Sequence, residues 1–505
     1  MGVGLPVGAT TRAAMSTNIH NHPRRRPLAA YVDRYLMPGV CGVPHGAALV
    51  LMNWTSSWPL DCSLRSNAGA SMCYRVDRDD GNDAEPWQEL EHILFERWLL
   101  PSPNVRLVTD ASRADLLIVP SALAHCHSPL GWHRHAWWNP AMVDGRSDVH
   151  DAYWEALRQR AAESDALRAA RGVNVTAREQ WLLIMYDGTW QMEYGRAMLA
   201  SLAKQPASFV RRIVLASIES PLQIRAHAET FAKPALSPTF LTLPFAILLR
   251  DVVNAAIEPP ESRPIALLFS GRPSGSFDGS RAAVHAQLKR MGALCIDGRD
   301  QRVTCTICAR GQPDGCRRVF EQMRLQHYHD PSVFGALKVL DLARQSTFCI
   351  EPTSDTLVRS HTYAAMLSGC VPLLLDTELP FHPTRRPYVT EWAWRVGPPR
   401  VTLNYSRFAI VDDAMPLVRG QRESLLPALV RLATHPAERA RLRALQSALA
   451  CEAAPRMRYT APGDGLEIAG CPPSGAFAPP DAFAMLVRTV QSAMRRRRGR
   501  RQTQS

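Results

Sequence analysis

Hydrophobic and polar positions change their spacing several times along the chain, and these changes predict alternating strands and helices. Short apolar runs such as "ADLLIVP" (114–120), "WLLIMYD" (181–187) and "RIVLAS" (212–217) predict buried strands. Between the first two lies "VHDAYWEALRQRAAESDALRAAR" (149–171), which predicts a helix. Continuous apolar runs that alternate with helices are typical of a parallel sheet covered on both faces.

The alternation restarts after "EPPESRP" (258–264), a candidate linker. "IALLFSGRPSG" (265–275) predicts a strand that ends in a glycine-containing loop, and "SRAAVHAQLKRMG" (280–292) predicts a helix. Residues 346–376 predict strand, loop, helix and strand, and residues 422–450 predict closing helices. We therefore expect an α/β fold with two doubly wound Rossmann-like domains that face a cleft, the default ligand site.

These patterns divide the chain into four predicted segments. Residues 1–84 are an irregular N-terminal region, 85–257 the first Rossmann-like domain, 258–494 the second with its closing helices, and 495–505 a basic tail. The tail supplies six of the net +13 charges, and the remaining excess of about +7 suits anionic substrates or surfaces. We expect the tail to be disordered and solvated, with membrane phosphates or nucleic acid as alternative contacts.

The chain has twelve cysteines. Cys349 and Cys370 lie in apolar runs and are predicted to be buried thiols. Zinc is the less favoured alternative for the remaining candidates, because "CTIC" has no fourth ligand at the proper spacing. Six cysteines in loop-like sequence are predicted to form disulfides in an oxidising compartment: Cys41, Cys62, Cys73, Cys305, Cys308 and Cys316.

Signals for membrane insertion or export are weak. No run of 18 apolar residues predicts a transmembrane helix, and the first 27 residues lack the apolar core of a signal peptide. Entry into the secretory pathway would need an atypical targeting segment or one outside this sequence. Three glycosylation sequons, at Asn53, Asn174 and Asn404, support a lumenal location only slightly.

The segment "STFCIEPTSDTLVRSHTYAAMLSGCVPLLLD" (346–376) carries the clearest chemistry. Asp355 or Thr356 is a candidate N-cap, and Gly369 fits the left-handed position after the helix. Arg359 would then lie in the first turn, where the helix dipole disfavours a cation unless an anion binds there. A diphosphate would accept both the helix N–H groups and the guanidinium. An ion pair between Arg359 and Asp355 is the alternative.

This segment resembles the signature of the exostosin family of glycosyltransferases. "LLFSGRP" (267–273), "LLLDTELPF" (373–381) and residues 91–120 resemble further family segments, so the likeness spans roughly 85–445. The signature matches without a gap at Phe348, Cys349, Pro352, Asp355, Thr356, Arg359, Tyr363, Gly369, Cys370, Val371 and Pro372.

The resemblance implies a two-domain GT-B architecture and inverting transfer of a sugar from a nucleotide sugar, usually a UDP-sugar, to a glycan hydroxyl. It also implies a Golgi lumenal, membrane-associated location, a glycan or glycoprotein acceptor, and assembly with a second copy or another glycosyltransferase. No nucleic-acid partner and no required cofactor are expected, although a divalent cation stays open. The implied donor-binding residues are Gly271, Arg272, Pro352, Ser354, Asp355, Thr356, Arg359, Ser360 and Gly369.

Inversion needs a general base near the acceptor hydroxyl. Asp187, at the end of a predicted strand, is the first candidate, with a simple turn residue as the alternative. Glu351, at the end of another strand, is the second candidate, with a surface carboxylate as the alternative.

The chain departs from the family pattern at three positions. Ala364 stands where the family has an acidic residue, which in such folds commonly holds the ribose of the nucleotide. Ser360 replaces a second arginine and Ser354 a loop glycine. These departures motivate a second hypothesis, a non-catalytic exostosin-like subunit or glycan-binding protein.

One further loop, "HCHSPLGWHRHAWW" (125–138), follows a predicted strand and combines histidines with tryptophans. An ordinary aromatic loop, an acceptor sugar-stacking surface and a metal site all stay open.

Overall fold

A computed structural model describes 21 stretches of the chain, and all structural statements below concern them. They are residues 27–32, 60–61, 74–75, 104–120, 147–176, 178–186, 193–218, 230–231, 237–244, 259, 262–274, 276, 278–297, 303–309, 313–329, 341–353, 359–376, 403–420, 425–458, 471 and 481–502.

The described strands form two six-stranded sheets and one two-stranded ribbon. In chain order the strands are β1 (Leu28–Val32), β2 (Leu60–Asp61), β3 (Tyr74–Arg75), β4 (Val105–Leu107), β5 (Leu116–Pro120), β6 (Trp181–Tyr186), β7 (Ile213–Ser217), β8 (Thr239–Thr242), β9 (Ile265–Gly271), β10 (Leu294–Asp297), β11 (Val303–Cys308), β12 (Ser346–Glu351), β13 (Val371–Asp376) and β14 (Ile410–Asp413).

The α-helices within the described stretches lie mainly between these strands and after the last one. They are α1 (Ser147–Ala170), α2 (Glu193–Ala203), α3 (Ala207–Val210), α4 (Ser280–Arg290), α5 (Pro313–His329), α6 (Ser360–Leu367), α7 (Met415–Val418), α8 (Leu425–Thr434), α9 (Arg439–Ala448), α10 (Ala454–Met457) and α11 (Ala482–Gln502).

The first sheet, called sheet I, has the order β4-β1-β5-β6-β7-β8, and all its neighbouring strands run parallel. Because side chains alternate between the faces of a strand, each strand supplies two buried clusters. On one face Leu117, Leu182 and Leu215 pack with Trp154 of α1 and Leu199 of α2. The predicted parallel sheet, formed from continuous apolar runs, is therefore confirmed for sheet I.

The other face of sheet I belongs to a cluster that extends into the second half of the chain. Ile118 and Leu183 of the sheet share this cluster with Tyr363 of α6 and with Phe483 and Leu486 of α11. The C-terminal helix is therefore part of the same apolar core as the first sheet, despite a separation of about 300 residues along the chain.

The second sheet, sheet II, has the order β10-β11-β9-β12-β13-β14. Strands β9, β12, β13 and β14 run parallel, whereas β11 is antiparallel to both of its neighbours. Leu267, Ile350 and Leu373 pack on one face with residues of α4, α8 and α9. On the other face, Leu268 and Cys349 pack with Phe320 of α5.

Several elements lie where the pattern predicted irregular structure, among them the strands β1, β2 and β3 of the region 1–84. Strand β1 lies in the region 1–84 and pairs with both β4 and β5. Its five apolar residues are too few to stand out among Gly- and Pro-rich neighbours.

The prediction that Cys305, Cys308 and Cys316 lie in loops is wrong, because they lie in β11 and α5. Val303, Thr304, Thr306 and Ile307 are β-branched and favour a strand.

The C-terminal basic segment also differs from its prediction as a disordered tail. Helix α11 begins with buried apolar residues and continues through Arg495 to Gln502. Arginine is a good helix former, and a helix already started by packing extends at low cost.

Eight described cysteines form four disulfides, which corrects one prediction. Cys349 and Cys370, expected to be thiols, are bonded to each other with their Cα atoms 5.8 Å apart. The parallel register of β12 and β13 brings them together, since Cys349 lies opposite Pro372. The remaining described pairs, all consistent with the disulfide prediction or added to it, are Cys295–Cys305, Cys308–Cys316 and Cys451–Cys471.

The disulfides are compatible with a secreted or lumenal protein, because such bonds persist in oxidising compartments. Among the helices in the described stretches, none is both long and apolar enough to cross a bilayer. The cysteines at positions 41, 62, 73 and 126, the predicted helix within 85–101 and the histidine- and tryptophan-rich loop lie outside the described residues.

We expect peptide mapping without reduction to recover a cross-linked peptide pair that contains Cys349 and Cys370. Replacing both by alanine should lower the free energy of unfolding by about 3 kcal/mol, because the bond closes a loop of 21 residues in the unfolded chain. Denaturant unfolding followed by circular dichroism measures this change. Alkylation of Cys349 in unreduced, denatured protein would contradict the bond.

Candidate active site

The order of sheet II contains a topological switch between β9 and β12. From β9 the chain continues to β10 and β11 on one side of the sheet, whereas from β12 it continues to β13 and β14 on the other. In open α/β sheets, ligands bind outside the carboxyl ends of the strands at such a point. Helix α4 follows β9 and helix α6 follows β12, so the amino ends of both helices belong to this edge of the sheet.

Arg359 lies at this edge, but not in the first helical turn, where it was predicted. Helix α6 begins at Ser360, and Arg359 is its N-cap residue with extended backbone angles (φ −125°, ψ 145°). Its Nη2 donates a hydrogen bond to the carbonyl oxygen of Ser270, at the end of β9, over 2.6 Å. The guanidinium therefore bridges the two strands that flank the switch.

Glu351, the last residue of β12, is the centre of a buried polar cluster. Its side chain is 1% exposed, and Oε1 lies 2.5 Å from Nδ1 of His361. Oε2 accepts a hydrogen bond from Oγ1 of Thr362 over 3.1 Å and lies 3.6 Å from Nη1 of Arg359. All three partners come from the four residues at the start of α6, so one carboxylate fixes the whole N-terminal turn.

The Glu351 carboxyl group is ionised in this setting. Burial opposes ionisation, but the charges of His361 and Arg359 and the hydrogen bonds from His361 and Thr362 outweigh it, so the pKa of Glu351 is lowered. An ionised carboxylate only accepts hydrogen bonds, so the proton between it and His361 belongs to Nδ1 of the imidazole.

Gly271 keeps Arg359 in place by having no side chain. A Cβ atom at this position would lie 2.7 Å from Nη2 of Arg359, a separation that two such atoms do not tolerate. Arg272, the next residue and also predicted to bind the donor, is exposed in the loop after β9. The "GRP" sequence thus supplies one position with close backbone approach and one cation at the surface.

The amino end of α4 meets the chain just beyond β12. Asp278 Oδ1 accepts hydrogen bonds from the backbone N–H of Ser280 and from Oγ1 of Thr353. Arg281 donates through Nε to the carbonyl oxygen of Thr353 over 2.9 Å, and Ser276 Oγ accepts from the Arg281 N–H. Side chains of the residues before α4 therefore satisfy two N–H groups of its first turn.

The other predicted donor-site residues divide into three groups. Pro352 is buried directly after Glu351, and Ser360 begins α6, so both lie at the switch. Gly369 has the predicted left-handed conformation (φ 72°) but lies at the opposite end of α6, about 12 Å along the helix. Ser354, Asp355 and Thr356, together with Asp187, lie outside the described residues.

Gly369 takes part in a hydrogen-bond network at the end of α6. Its carbonyl oxygen accepts a hydrogen bond over 2.9 Å from Arg263, whose guanidinium also donates to the carbonyl oxygen of Ser346. Gln446 reaches the same Gly369 oxygen at 3.5 Å. These contacts join the end of α6 to the start of β12 and stabilise the sheet.

Ala364, the position of the missing acidic residue, is 8% exposed and belongs to the apolar cluster shared by both halves of the chain. Helix α6 is apolar on every side beyond its first turn, with Ala365 in the cluster on sheet II. A helix of this kind is a buried helix. Its polar groups are therefore concentrated at its amino end.

Sequence reasoning missed His361 and Thr362. The available signal was "RSHT" (359–362), which places four polar side chains at the start of an otherwise apolar helix. Glu351 was proposed as a base, but its partners depend on α6 beginning at Ser360 rather than near Thr356.

One group elsewhere has the composition of a metal site. His285, Cys295 and Cys305 have potential ligand atoms within 4.8 Å of one another. The two sulfur atoms are joined in a disulfide and offer no thiolate ligand.

In comparisons with known proteins, no family model and no curated protein matches the chain.

We expect Glu351→Gln to lower the free energy of unfolding at pH 7 by about 1–3 kcal/mol, because a buried ionised acceptor is lost. A lowered pKa gives stability that is present above the ordinary value of 4.5 and lost as the pH falls through the folded value. The difference between the two proteins should therefore shrink below pH 4.5. Denaturant unfolding at several pH values measures it.

The matched control is Glu321→Gln, at an exposed glutamate of α5 that pairs with Arg324. Its effect should stay within about 0.5 kcal/mol. An E351Q variant as stable as E321Q at pH 7 would show that the cluster does not hold α6.

Proposed function

We propose that the chain is an exostosin-like glycosyltransferase that moves a sugar from a nucleotide sugar, with UDP as the expected nucleotide, to a glycan hydroxyl with inversion. The observation that carries the proposal is Arg359, which lies at the switch between β9 and β12 beside the amino end of α6. A guanidinium and a helix N-terminus together form a favourable site for a diphosphate.

The chemistry of glycosyl transfer fits such a site. As the bond between the sugar and the diphosphate breaks, negative charge accumulates on the departing diphosphate. Fixed positive groups that are already oriented stabilise this charge in the transition state. Arg359 is held by Ser270 and Glu351, so it needs no reorganisation when the charge develops. This mechanism requires no metal ion, although it also tolerates one.

Two mostly parallel six-stranded sheets with helices between their strands are compatible with a GT-B arrangement. In that arrangement the donor binds to the second half of the chain and the acceptor to the first. Asp187, the proposed general base, is the next residue in the sequence after β6 and lies outside the described residues. Glu351 fits a positioning role better than that of a base, because both of its oxygens are already occupied. The proposed setting is the Golgi lumen, with a glycan or glycoprotein as acceptor.

A second candidate function is that of a non-catalytic subunit or glycan-binding protein. It is favoured by Ala364, which lies in the apolar core where the family has a ribose-binding carboxylate. An enzyme of this type would need another residue for the ribose, whereas a binding subunit would not.

We expect UDP to raise the melting temperature of the protein, and a screen of nucleotide sugars to find turnover with one of them. Arg359→Ala should lower donor affinity or turnover about 10- to 100-fold, because one charged contact to the diphosphate is lost. Arg158→Ala, which removes an exposed ion pair with Glu155 on α1, is the control and should change neither. If no nucleoside diphosphate raised the melting temperature, the proposed glycosyltransferase activity would be excluded.

Because Arg359 is nearly buried, its removal also affects folding, and Gly271→Ala separates the two effects. The new Cβ displaces the guanidinium but leaves its charge in the protein. We expect a similar loss of UDP affinity from G271A. An unchanged affinity in G271A would remove Arg359 from the donor site.

A further inference from the structure

The site contains one contact that the family resemblance did not imply, the pair formed by Glu351 and His361. Its imidazole is held at one nitrogen only. Nδ1 contacts the Glu351 carboxylate at 2.5 Å, whereas Nε2 is buried and has no hydrogen-bond partner in the described part of the chain. Buried polar atoms are almost always paired, and leaving one unpaired costs free energy.

The surroundings of His361 favour an anion. Arg359 and the partial positive charge at the start of α6 lie next to it, and Glu351, the one carboxylate that the described residues place in the cluster, is already paired with Arg359 and His361. The side chain of His361 retains 11% exposure. By contrast, Asp278 and Ser276 already occupy the amino end of α4.

We propose that His361 is an anion-binding residue of this site, held by Glu351 through Nδ1 so that Nε2 donates a hydrogen bond to a phosphate oxygen of the donor's diphosphate. This inference rests on the proposed function for the identity of the ligand. A carboxylate at Nδ1 and a phosphate at Nε2 are both acceptors, so the ring that fits between them is the imidazolium, with two donors. Glu351 is then a positioning residue.

Two substitutions separate the nitrogens of His361. In His361→Asn the amide nitrogen takes the place of Nδ1 and can still donate to Glu351, but nothing replaces Nε2. In His361→Gln the amide nitrogen reaches the place of Nε2, but the contact with Glu351 is lost. We expect H361N to fold with nearly the melting temperature of the natural protein. H361Q should be less stable but retain more of the anion affinity.

Calorimetric titration with UDP, with uridine and with inorganic pyrophosphate tests the inference. We expect H361N to weaken UDP and pyrophosphate about 10- to 100-fold, the loss of one charged hydrogen bond, and to leave uridine unchanged. His285→Asn, on α4 and away from the cluster, is the matched control and should bind all three like the natural protein.

The outcomes distinguish this inference from the proposed function. UDP affinity equal in H361N and the natural protein overturns the role of His361 and leaves the glycosyltransferase standing. If the natural protein binds pyrophosphate, H361N weakens that binding and no nucleoside diphosphate binds, then the anion site stands and the proposed glycosyltransferase is excluded. Equal losses for uridine and UDP in H361N overturn the inference, because they indicate damage to the whole site.

Discussion

The buried Glu351 carboxylate is the interaction on which the candidate site depends. Helix α6 is apolar on every side after its first turn, and it packs both in the core shared with sheet I and in the core on sheet II. Such a helix has nowhere to place polar groups except at its ends. Glu351 pairs with Arg359, His361 and Thr362, so it neutralises and orders the amino end that the apolar body of the helix cannot satisfy.

The scaffold around this cluster makes it rigid. The Cys349–Cys370 disulfide ties the end of α6 to β12, and Arg263 joins the same end to the beginning of β12 through two carbonyl oxygens. Both ends of α6 are therefore fixed to one strand, the strand that also carries Glu351. Rigid placement matters for binding an anion, because groups that are already oriented lose little entropy when the ligand arrives.

Much of this scaffold could be predicted from local patterns. The strands β5, β6, β7, β9, β12 and β13 correspond to apolar runs, and α1 and α4 to helical spacing between them. Strand β1 could not be found, because five apolar residues among polar neighbours carry little signal. The Glu351–His361 contact could not be found either, because it depends on a helix that begins four residues later than its best capping signal. The disulfide needed the register of β12 and β13, which single-strand patterns do not contain.

The same geometry separates two properties that the family resemblance joins. The proposed anion binding would depend on the amino end of α6, where Arg359 and His361 lie beside the ionised Glu351 carboxylate. Nucleotide recognition in the family depends on a residue one turn later, and here that position is Ala364 in the apolar core. Replacing a buried alanine by a carboxylate would cost more than the contact returns unless the helix moved. If the proposed donor site is correct, its charged half lies on a helix whose next turn packs in the apolar core. Selectivity for a nucleoside would then have to come from residues on other elements.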